Sequence, residues 1–166
     1  MILKTNRLEL KKISENDCNR ICELFQNEII KKTYILPDFK SKEEVEKLFN
    51  HVLKLSNSDN HYIFGIYLNN YLIGMVNDVY INNKEIEFGY FIDPSYFNNG
   101  YMSEAFKEVI NYMFSLGFEK IVASAFEENK ASFKVMINCQ MEKEDIKEEI
   151  EYKGLKHNCI YYSIKK

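Results

Sequence analysis

The sequence predicts a single α+β domain over residues 1–166, built on a mixed, mostly antiparallel sheet flanked by helices. Three observations predict this class. The chain has 166 residues, of which 46% are hydrophobic and 14% aromatic, enough for one hydrophobic core. The hydrophobic period changes from about 3.6 to about 2 residues after the second predicted helix. Strand-helix-strand units occur only in the second half of the chain.

The N-terminal part is predicted to contain one strand and two helices. Thr5 to Lys11 alternates weakly, as a strand does. Ser14 is a suitable N-cap for the first helix, whose apolar positions recur at helical spacing: Cys18, Ile21, Cys22, Phe25 and Ile29. Ser41 and Glu44 resemble a capping box in front of the second helix, whose apolar stripe is Val45, Leu48, Phe49, Val52 and Leu53.

A meander of three antiparallel strands is predicted next. Tyr62 to Leu68 and Tyr71 to Ile81 alternate, and Asn69-Asn70 joins them. Asn82-Asn83 leads into the third strand, which begins at Glu85. Because asparagine tolerates positive φ better than most residues, both Asn pairs suit tight hairpin turns.

The most informative stretch runs from Glu85 to Ala105, from a strand through a polar loop into an amphipathic helix. Alternation predicts one strand face made of Ile86, Phe88, Tyr90 and Ile92. Pro94 ends the strand, since it has no N–H to donate. The helix is indicated by Met102, Ala105, Phe106, Val109, Ile110 and Met113. Because Gly100 precedes a helix N-terminus with unpaired N–H groups, the stretch predicts a phosphate-binding turn.

The rest of the chain is predicted to form a strand, a short helix and a closing hairpin. The strand covers Ile121 to Phe126, and the helix runs from Asn129 to Cys139. The charged segment Glu142 to Tyr152 pairs with Cys159 to Ile164 around Gly154.

Composition and charge argue against several partner classes. The net charge is −3 and the sequence has no basic stripe, so no nucleic-acid partner is expected. No apolar run approaches the roughly 20 residues that span a bilayer, so no membrane partner is expected either. The N-terminus lacks a signal-peptide core, which predicts a cytoplasmic protein. Only Arg7 and Arg20 are arginines, so a phosphate grip is expected to come mostly from lysines and backbone amides.

The cysteines and histidines give no metal-ligand pattern. Cys18 and Cys22 share an apolar helix face, where a buried free thiol is the expected state. No Cys or His pair with zinc-like spacing accompanies them. We therefore expect no metal.

Five segments, in order along the chain, are similar to the motifs of a known enzyme family. Thr5 to Leu10 is similar to a Thr-x-Arg-Leu-x-Leu opening, and Glu87 to Tyr90 to a Glu-Ile-Gly-Tyr strand. Tyr96 to Ala105 matches a Tyr-Trp-Gly-Lys-Gly-Tyr-Ala-Thr-Glu-Ala loop and helix, with substitutions. Asn129-x-x-Ser132 and the closing segment Gly154 to Ile164 follow. Over nearly its whole length the chain resembles the GNAT N-acetyltransferases, in the branch of ribosomal-protein N-terminal and spermidine acetyltransferases.

The resemblance implies a single GNAT-like domain with a splayed pair of central strands, which transfers an acetyl group from acetyl-coenzyme A (acetyl-CoA). In this family the loop before the helix wraps the pyrophosphate with backbone N–H groups, and the pantetheine arm lies along the preceding strand. The asparagine of Asn-x-x-Ser contacts that arm, and a lysine on the same helix is a candidate phosphate contact. The implied cofactor-binding residues are Phe91, Ile92, Asn98, Asn99, Gly100, Tyr101, Met102, Ser103, Asn129 and Lys134.

Acetyl transfer to an amine needs a base, because a lysine-like amine has a pKa of about 10.4. Glu87 matches the family's strand glutamate and is the first candidate; Glu85, on the same predicted face, or a water is the alternative. Both glutamates would also suit a solvated strand face. Ser132 is the candidate acid for the departing thiolate, or else bonds the local backbone. Met136 stands where many relatives have a tyrosine acid, and it cannot donate a proton.

Two hypotheses of function follow. The first is an N-acetyltransferase acting on a primary amine, which can be a protein N-terminus, a polyamine, an aminoglycoside or a small metabolite. The second is a non-catalytic CoA-binding or sensing module of the same fold, motivated by Met136 and by the altered loop. A third hypothesis is a phosphate-binding domain of another fold, and the absence of a Walker-type Gly-x-x-x-x-Gly-Lys-Ser/Thr motif counts against it. A homodimer is expected solely because dimers are the commonest oligomers of soluble proteins.

Overall fold

A computed structural model describes all 166 residues of the chain. The chain contains eight strands and five helices. It divides into two compact units: Met1–Asn77 with Tyr90–Tyr101, and Asp78–Gly89 with Met102–Lys166. The strand pair β5–β6 is parallel, whereas β1–β2, β2–β3, β3–β4, β6–β8 and β7–β8 are antiparallel. The predicted α+β class with a mixed, mostly antiparallel sheet is confirmed.

The first unit holds the N-terminal strands and three helices. Its strands β1 to β4 are neighbours in chain order. Two 3-10 turns, Glu15–Asp17 and Pro94–Tyr96, precede α1 and follow β5. The elements are β1 (Ile2–Lys4), β2 (Glu9–Lys11), α1 (Cys18–Phe25), α2 (Glu28–Lys31), α3 (Lys42–Ser56), β3 (Phe64–Leu68), most of β4 (Tyr71–Asn82) and the end of β5 (Glu85–Ile92).

The strand predicted over Thr5 to Lys11 is wrong in its first half. The Thr5 N–H donates to the Leu8 carbonyl at 3.0 Å, and the Leu8 N–H donates to the Thr5 hydroxyl oxygen at 2.9 Å. The two bonds close a turn. Only its second half forms a strand, β2, and the turn separates β2 from an earlier strand, β1, that the sequence analysis missed.

The first predicted helix also ends earlier than expected, at Phe25 instead of beyond Ile29. Asn27 adopts an extended backbone with ψ of 122°, which interrupts the helical path. Its side chain accepts hydrogen bonds from the N–H groups of Ile29 and Ile30, at 2.9 and 3.2 Å. Asn27 is therefore an N-cap that starts the separate helix α2.

The two predicted serine caps have different outcomes. Ser41 caps α3 as predicted, since its hydroxyl accepts from the Glu44 N–H at 3.3 Å. The Glu44 carboxylate, however, accepts from the N–H of Lys40 at 2.7 Å, so the capping box is not reciprocal. Ser14 caps the 3-10 turn and not α1 directly, with its N–H donating to the Asp17 carboxylate at 2.8 Å.

Both hairpin turns of the meander contain asparagines with positive φ. Asn69 and Asn70 both have positive φ, 49° and 65°, which confirms the predicted turn between β3 and β4. The next turn lies one residue later than predicted, because β4 extends through Asn82 and Asn83 has a φ of 53°.

A single apolar cluster fills the first unit between its helices and strands. Phe91, from the end of β5, is part of it and packs edge-on against Tyr34, with ring centroids 4.8 Å apart. The predicted alternation places Ile86, Phe88, Tyr90 and Ile92 on one face of the strand. Ile86 and Phe88 are buried as this predicts, but the next buried residue is Phe91, not Tyr90 or Ile92. Other members are Ile13, Ile21, Leu24, Phe25, Ile30, Leu36, Val45, Phe49, Val52, Ile63, Leu72 and Met75.

The second unit contains the strand order β5-β6-β8-β7 and two helices. Its elements are the start of β5, most of α4 (Tyr101–Ser115), β6 (Lys120–Phe126), α5 (Lys130–Asn138), β7 (Glu142–Tyr152) and β8 (Leu155–Lys165). The closing hairpin is confirmed, and its turn consists of Lys153 and Gly154, both with positive φ. The apolar face of α4 is buried as predicted, with Phe106 edge-on to Phe88 at 6.1 Å.

The parallel pair β5–β6 is short. Its register runs from Glu85 opposite Lys120 to Phe88 opposite Ala123 and ends there. Both strands continue past that point, and β6 pairs with β8 as far as Phe126. The parallel ladder thus joins only residues of the second unit, and the splaying expected beyond it stays a prediction.

Candidate active site

The loop between β5 and α4 begins with a capped turn. The Asp93 carboxylate accepts a hydrogen bond from the Ser95 N–H at 2.8 Å, and Pro94 occupies the first position of the 3-10 turn. Asn98 and Gly100 then adopt left-handed backbone conformations, with φ of 61° and 76°, before α4 begins at Tyr101. We call residues 93–101 the β5–α4 loop.

The N-terminal end of α4 supplies the unpaired N–H groups that the sequence predicted. The first N–H groups of a helix have no acceptor within it, and the helix dipole favours an anion there. Tyr101, Met102 and Ser103 make up this first turn. The Met102 side chain is buried, so it can contribute only its backbone. The Ser103 hydroxyl accepts from the Asn138 side chain at 3.2 Å, which ties the first turn to α5.

Asn98 and Asn99, the two loop asparagines, differ in their contacts. The Asn99 side chain donates to the carbonyls of Tyr96 and Phe97, at 3.3 and 2.9 Å, and so stabilises the loop itself. Asn98 is exposed and takes the left-handed conformation. An asparagine is one of the few side chains that tolerate this conformation, which explains how Asn can stand where the family often has glycine.

Arg7 lies against the β5–α4 loop, a contact that the sequence analysis did not predict. Its Nη1 donates to the Asn99 carbonyl at 3.0 Å, and its guanidinium carbon lies 4.4 Å from the centroid of the Tyr101 ring. The expectation that a phosphate grip comes mostly from lysines and backbone amides stays a prediction, and the structure adds a guanidinium that contacts the loop.

Phe91 and Ile92, at the end of β5, approach β4 very closely. A Cβ placed on Gly74 of β4 would lie 2.4 Å from the Phe91 carbonyl oxygen and 3.0 Å from the Ile92 Cα. Only glycine allows this approach. Since the Phe91 side chain is buried in the core, its backbone is the part available to a ligand.

Glu87, the candidate base, is half-buried on β5 in the second unit. Its Oε1 accepts a hydrogen bond from the Ser124 hydroxyl of β6 at 2.8 Å. Burial raises the pKa of Glu87 above its ordinary value, the Ser124 bond lowers it, and the nearby carboxylates of Glu148 and Glu85 raise it further. The net direction is upward. Ser124 was missed, because a serine on a strand carries no sequence signal of its own.

Glu85, the alternative base, is engaged differently. Its carboxylate lies 3.4 Å from the Lys120 ammonium, which also pairs with Glu144 at 2.7 Å. The pairing with Glu144 raises the pKa of Lys120, so this cation stays charged beside Glu85. Glu85 is thus held in an ion pair with Lys120, whereas Glu87 is hydrogen-bonded to a neutral hydroxyl, which keeps Glu87 as the first candidate.

Asn129 and Ser132 lie together at the start of α5. Asn129 is the N-cap, and its Oδ1 accepts from the Ser132 N–H at 3.2 Å. This bond uses the amide oxygen of Asn129 and leaves its NH₂ group to face other acceptors. Ser132 is half-buried, Lys134 is exposed, and Met136 is fully buried in the core of the unit.

No three His, Cys, Asp or Glu side chains are grouped so as to hold a metal ion. The four cysteines are free thiols, and burial raises the pKa of both Cys22 and Cys139 to about 12. None of the helices is both long and apolar enough for a membrane span.

Comparison with known proteins places this arrangement in a family of enzymes. Residues 7–142 match the family described as the acetyltransferase (GNAT) domain. The chain is 29% identical over 171 residues to YoaA of Bacillus subtilis (strain 168), named as an uncharacterised N-acetyltransferase, with 99% of this chain and 97% of that protein covered.

Two solved structures show the same fold over the whole chain. A GNAT-family acetyltransferase from Bacillus anthracis superimposes with a TM-score of 0.84 at 26% identity, covering 99% of this chain and 98% of that one. The ribosomal-protein acetyltransferase RimL, in complex with coenzyme A, gives a TM-score of 0.87 at 21% identity, with the same coverage of both chains. The family match and the fold are those of an acyltransferase that uses acetyl-CoA. The chain belongs to the GNAT acetyltransferase family.

Proposed function

We propose that the protein is an N-acetyltransferase that moves the acetyl group of acetyl-CoA directly to a primary amine. The observation that carries the proposal is Glu87, a half-buried carboxylate with a raised pKa, bonded to Ser124 at 2.8 Å. A carboxylate whose pKa is raised accepts a proton more readily than a solvated one.

The residues at the β5–α4 loop fit a pyrophosphate. Positive φ at Asn98 and Gly100 turns the chain, and the first N–H groups of α4 follow at Tyr101, Met102 and Ser103. Such an array binds phosphate oxygens without any side-chain charge. In the first unit, the backbone of Phe91 and Ile92 is proposed as a contact to the pantetheine arm, as the family resemblance implies. In the second unit, the Asn129 amide is proposed as a contact to the same arm and Lys134 as a phosphate contact.

When bound, acetyl-CoA supplies the acetyl group and a thiol that leaves. Glu87 accepts one proton from the attacking amine, directly or through a water. A C–N bond forms at the acetyl carbon, and the C–S bond breaks. Ser132 donates a proton to the departing sulfur. Glu87 then releases its proton to solvent, and solvent restores the proton of the serine hydroxyl. The sum is one amide and one free thiol.

Two measurements test this function. Titration calorimetry should show acetyl-CoA binding, and no heat at millimolar acetyl-CoA would refute it. A thiol-release assay against a panel of N-terminal peptides, polyamines and aminoglycosides should then identify a class of acceptor. With the best acceptor, Glu87→Gln should lower kcat at least about 100-fold, the usual contribution of general base catalysis, while the Kd for acetyl-CoA stays unchanged.

A second candidate function is CoA binding without catalysis. It is favoured by Met136, which is fully buried where many relatives place a tyrosine acid. This alternative predicts acetyl-CoA binding with no thiol release against any amine of the panel, whereas the first predicts release with at least one.

A further inference from the structure

The chain has only two arginines, and both contact the β5–α4 loop within the first unit. Arg20, from α1, pairs with Asp93 where the loop begins, and Arg7, from the turn between β1 and β2, contacts Asn99 and Tyr101 where it ends. The other basic residues are lysines. The two guanidinium groups thus hold opposite ends of one segment.

Arg20 distributes its donors among three acceptors. Its Nε donates to the Leu72 carbonyl at 3.0 Å, its Nη1 to the Glu23 carboxylate at 2.9 Å, and its Nη2 to Asp93. The pair is mostly buried, with the side chains of Arg20 and Asp93 14% and 11% exposed. Burial alone would raise the pKa of Asp93, but the bonds from Ser95 and Arg20 outweigh it and lower that pKa. Asp93 therefore stays ionised while it caps the turn.

Arg7 acts on the other end through one hydrogen bond and one ring contact. The Asn99 carbonyl precedes Gly100, so its position sets the orientation of the next peptide group. The Tyr101 ring, 4.4 Å from the guanidinium carbon, belongs to the first residue of α4. A Cβ on Gly100 would lie 3.6 Å from Nη2 of Arg7, which is an ordinary van der Waals contact. Glycine suits this position because of its positive φ, and not because a larger residue would clash.

We propose that Arg7 and Arg20 are positioning residues that hold the β5–α4 loop in the conformation that presents its backbone N–H groups to the pyrophosphate of acetyl-CoA. The inference rests on the proposed cofactor role of this loop. Asn98 and Gly100 lie in the left-handed region, which an unbraced loop would leave part of the time. Contacts at both ends restrict that freedom before the ligand arrives, and so reduce the ordering cost of binding.

Lysine cannot replace either arginine in this role. An ammonium is a compact point charge, whereas the Arg20 fork reaches three separate acceptors in one plane. At Arg7, a lysine keeps the charge but loses the planar group that stacks on Tyr101 while donating to Asn99. Arg7→Lys is therefore a charge-matched test of positioning.

The experiment measures the Kd for acetyl-CoA by calorimetry, and kcat with acetyl-CoA and with S-acetylpantetheine, which lacks the pyrophosphate. Arg7→Lys should weaken acetyl-CoA binding about tenfold, the scale of one charged hydrogen bond with a ring contact, while S-acetylpantetheine turnover stays unchanged. Lys32→Ala, an exposed charge on the same unit, is the control and should leave both unchanged.

A double-mutant cycle separates positioning from direct contact with phosphate. If Arg7 acts through the helix start, Tyr101→Leu should weaken binding and largely abolish the further effect of Arg7→Lys. Additive losses would overturn the positioning role, as would a Kd for Arg7→Lys equal to that of the wild type. If the wild type itself fails to bind acetyl-CoA, the proposed function fails instead, so the two failures are distinguishable.

Discussion

Gly74→Ala should destabilise the protein strongly, because β4 and β5 approach too closely there for any side chain. The new Cβ would lie 2.4 Å from the Phe91 carbonyl oxygen and 3.0 Å from the Ile92 Cα. Both obstacles are backbone atoms, which cannot rotate away as a side chain can. Overpacking of this kind costs about 3 kcal/mol. For a chain of this size, that lowers Tm by roughly 6–12 °C.

Gly65→Ala is the matched control for this prediction. Gly65 is also a buried strand glycine of the same unit, but its Cβ would meet the Tyr67 ring, at 2.8 Å. A ring can tilt by a few tenths of an ångström where a backbone cannot, so the loss of Tm should be clearly smaller. Thermal unfolding followed by circular dichroism measures both. Equal Tm values for Gly74→Ala and the wild type would refute the close approach, and with it the described end of β5.

Three further predictions concern charge and conformation. Arg20→Met should lower the free energy of unfolding by about 2 kcal/mol at pH 7, because it leaves Asp93 buried without its cation. The folded state lowers the pKa of Asp93, so the stabilisation from the Arg20–Asp93 pair is complete above the unfolded pKa of about 3.9. The difference in the free energy of unfolding between the wild type and Arg20→Met should therefore shrink as the pH falls below that value. Urea unfolding at several pH values measures this difference. Ser124→Ala removes the bond that lowers the pKa of Glu87, so the acidic limb of the pH–rate profile should move to higher pH, and a limb that stays in place would contradict the role of this bond. Gln140→Gly should raise the free energy of unfolding by about 1 kcal/mol. Gln140 follows α5 with a φ of 63°, a conformation that has no steric cost for glycine. An unchanged free energy of unfolding in urea would count against strain at this position.

Local chemistry made much of the fold predictable. Asn69-Asn70 predicted its hairpin correctly because both residues accept positive φ. The Ser41 cap was predicted correctly because the N–H that donates to its hydroxyl belongs to Glu44, only three residues away. The break at Asn27 was missed since the apolar spacing continues from Phe25 to Ile29 across it. The helical period alone does not show that a side chain between them caps a new helix.

The candidate site was less predictable because its contacts join distant parts of the chain. The hydrogen bond from Arg7 to Asn99 spans 92 residues, and the one from Ser124 to Glu87 spans 37. Neither partner carries a pattern that marks the other. The loop was predicted from Gly100 and the helix start that follows it, and Glu87 from a resemblance in order and spacing. The groups that contact them follow only from the three-dimensional structure.

The pH dependence of kcat/KM for the wild type, Glu87→Gln and Glu85→Gln tests the central claim most directly. With the acceptor found in the thiol-release screen, the wild type should show an acidic limb set by a carboxyl whose pKa lies above its ordinary value. Glu85→Gln should keep this limb, because the Glu85 carboxylate is held by Lys120. Glu87→Gln should lose both the limb and most of the rate. An unchanged profile in Glu87→Gln would contradict the assignment of Glu87 as the base.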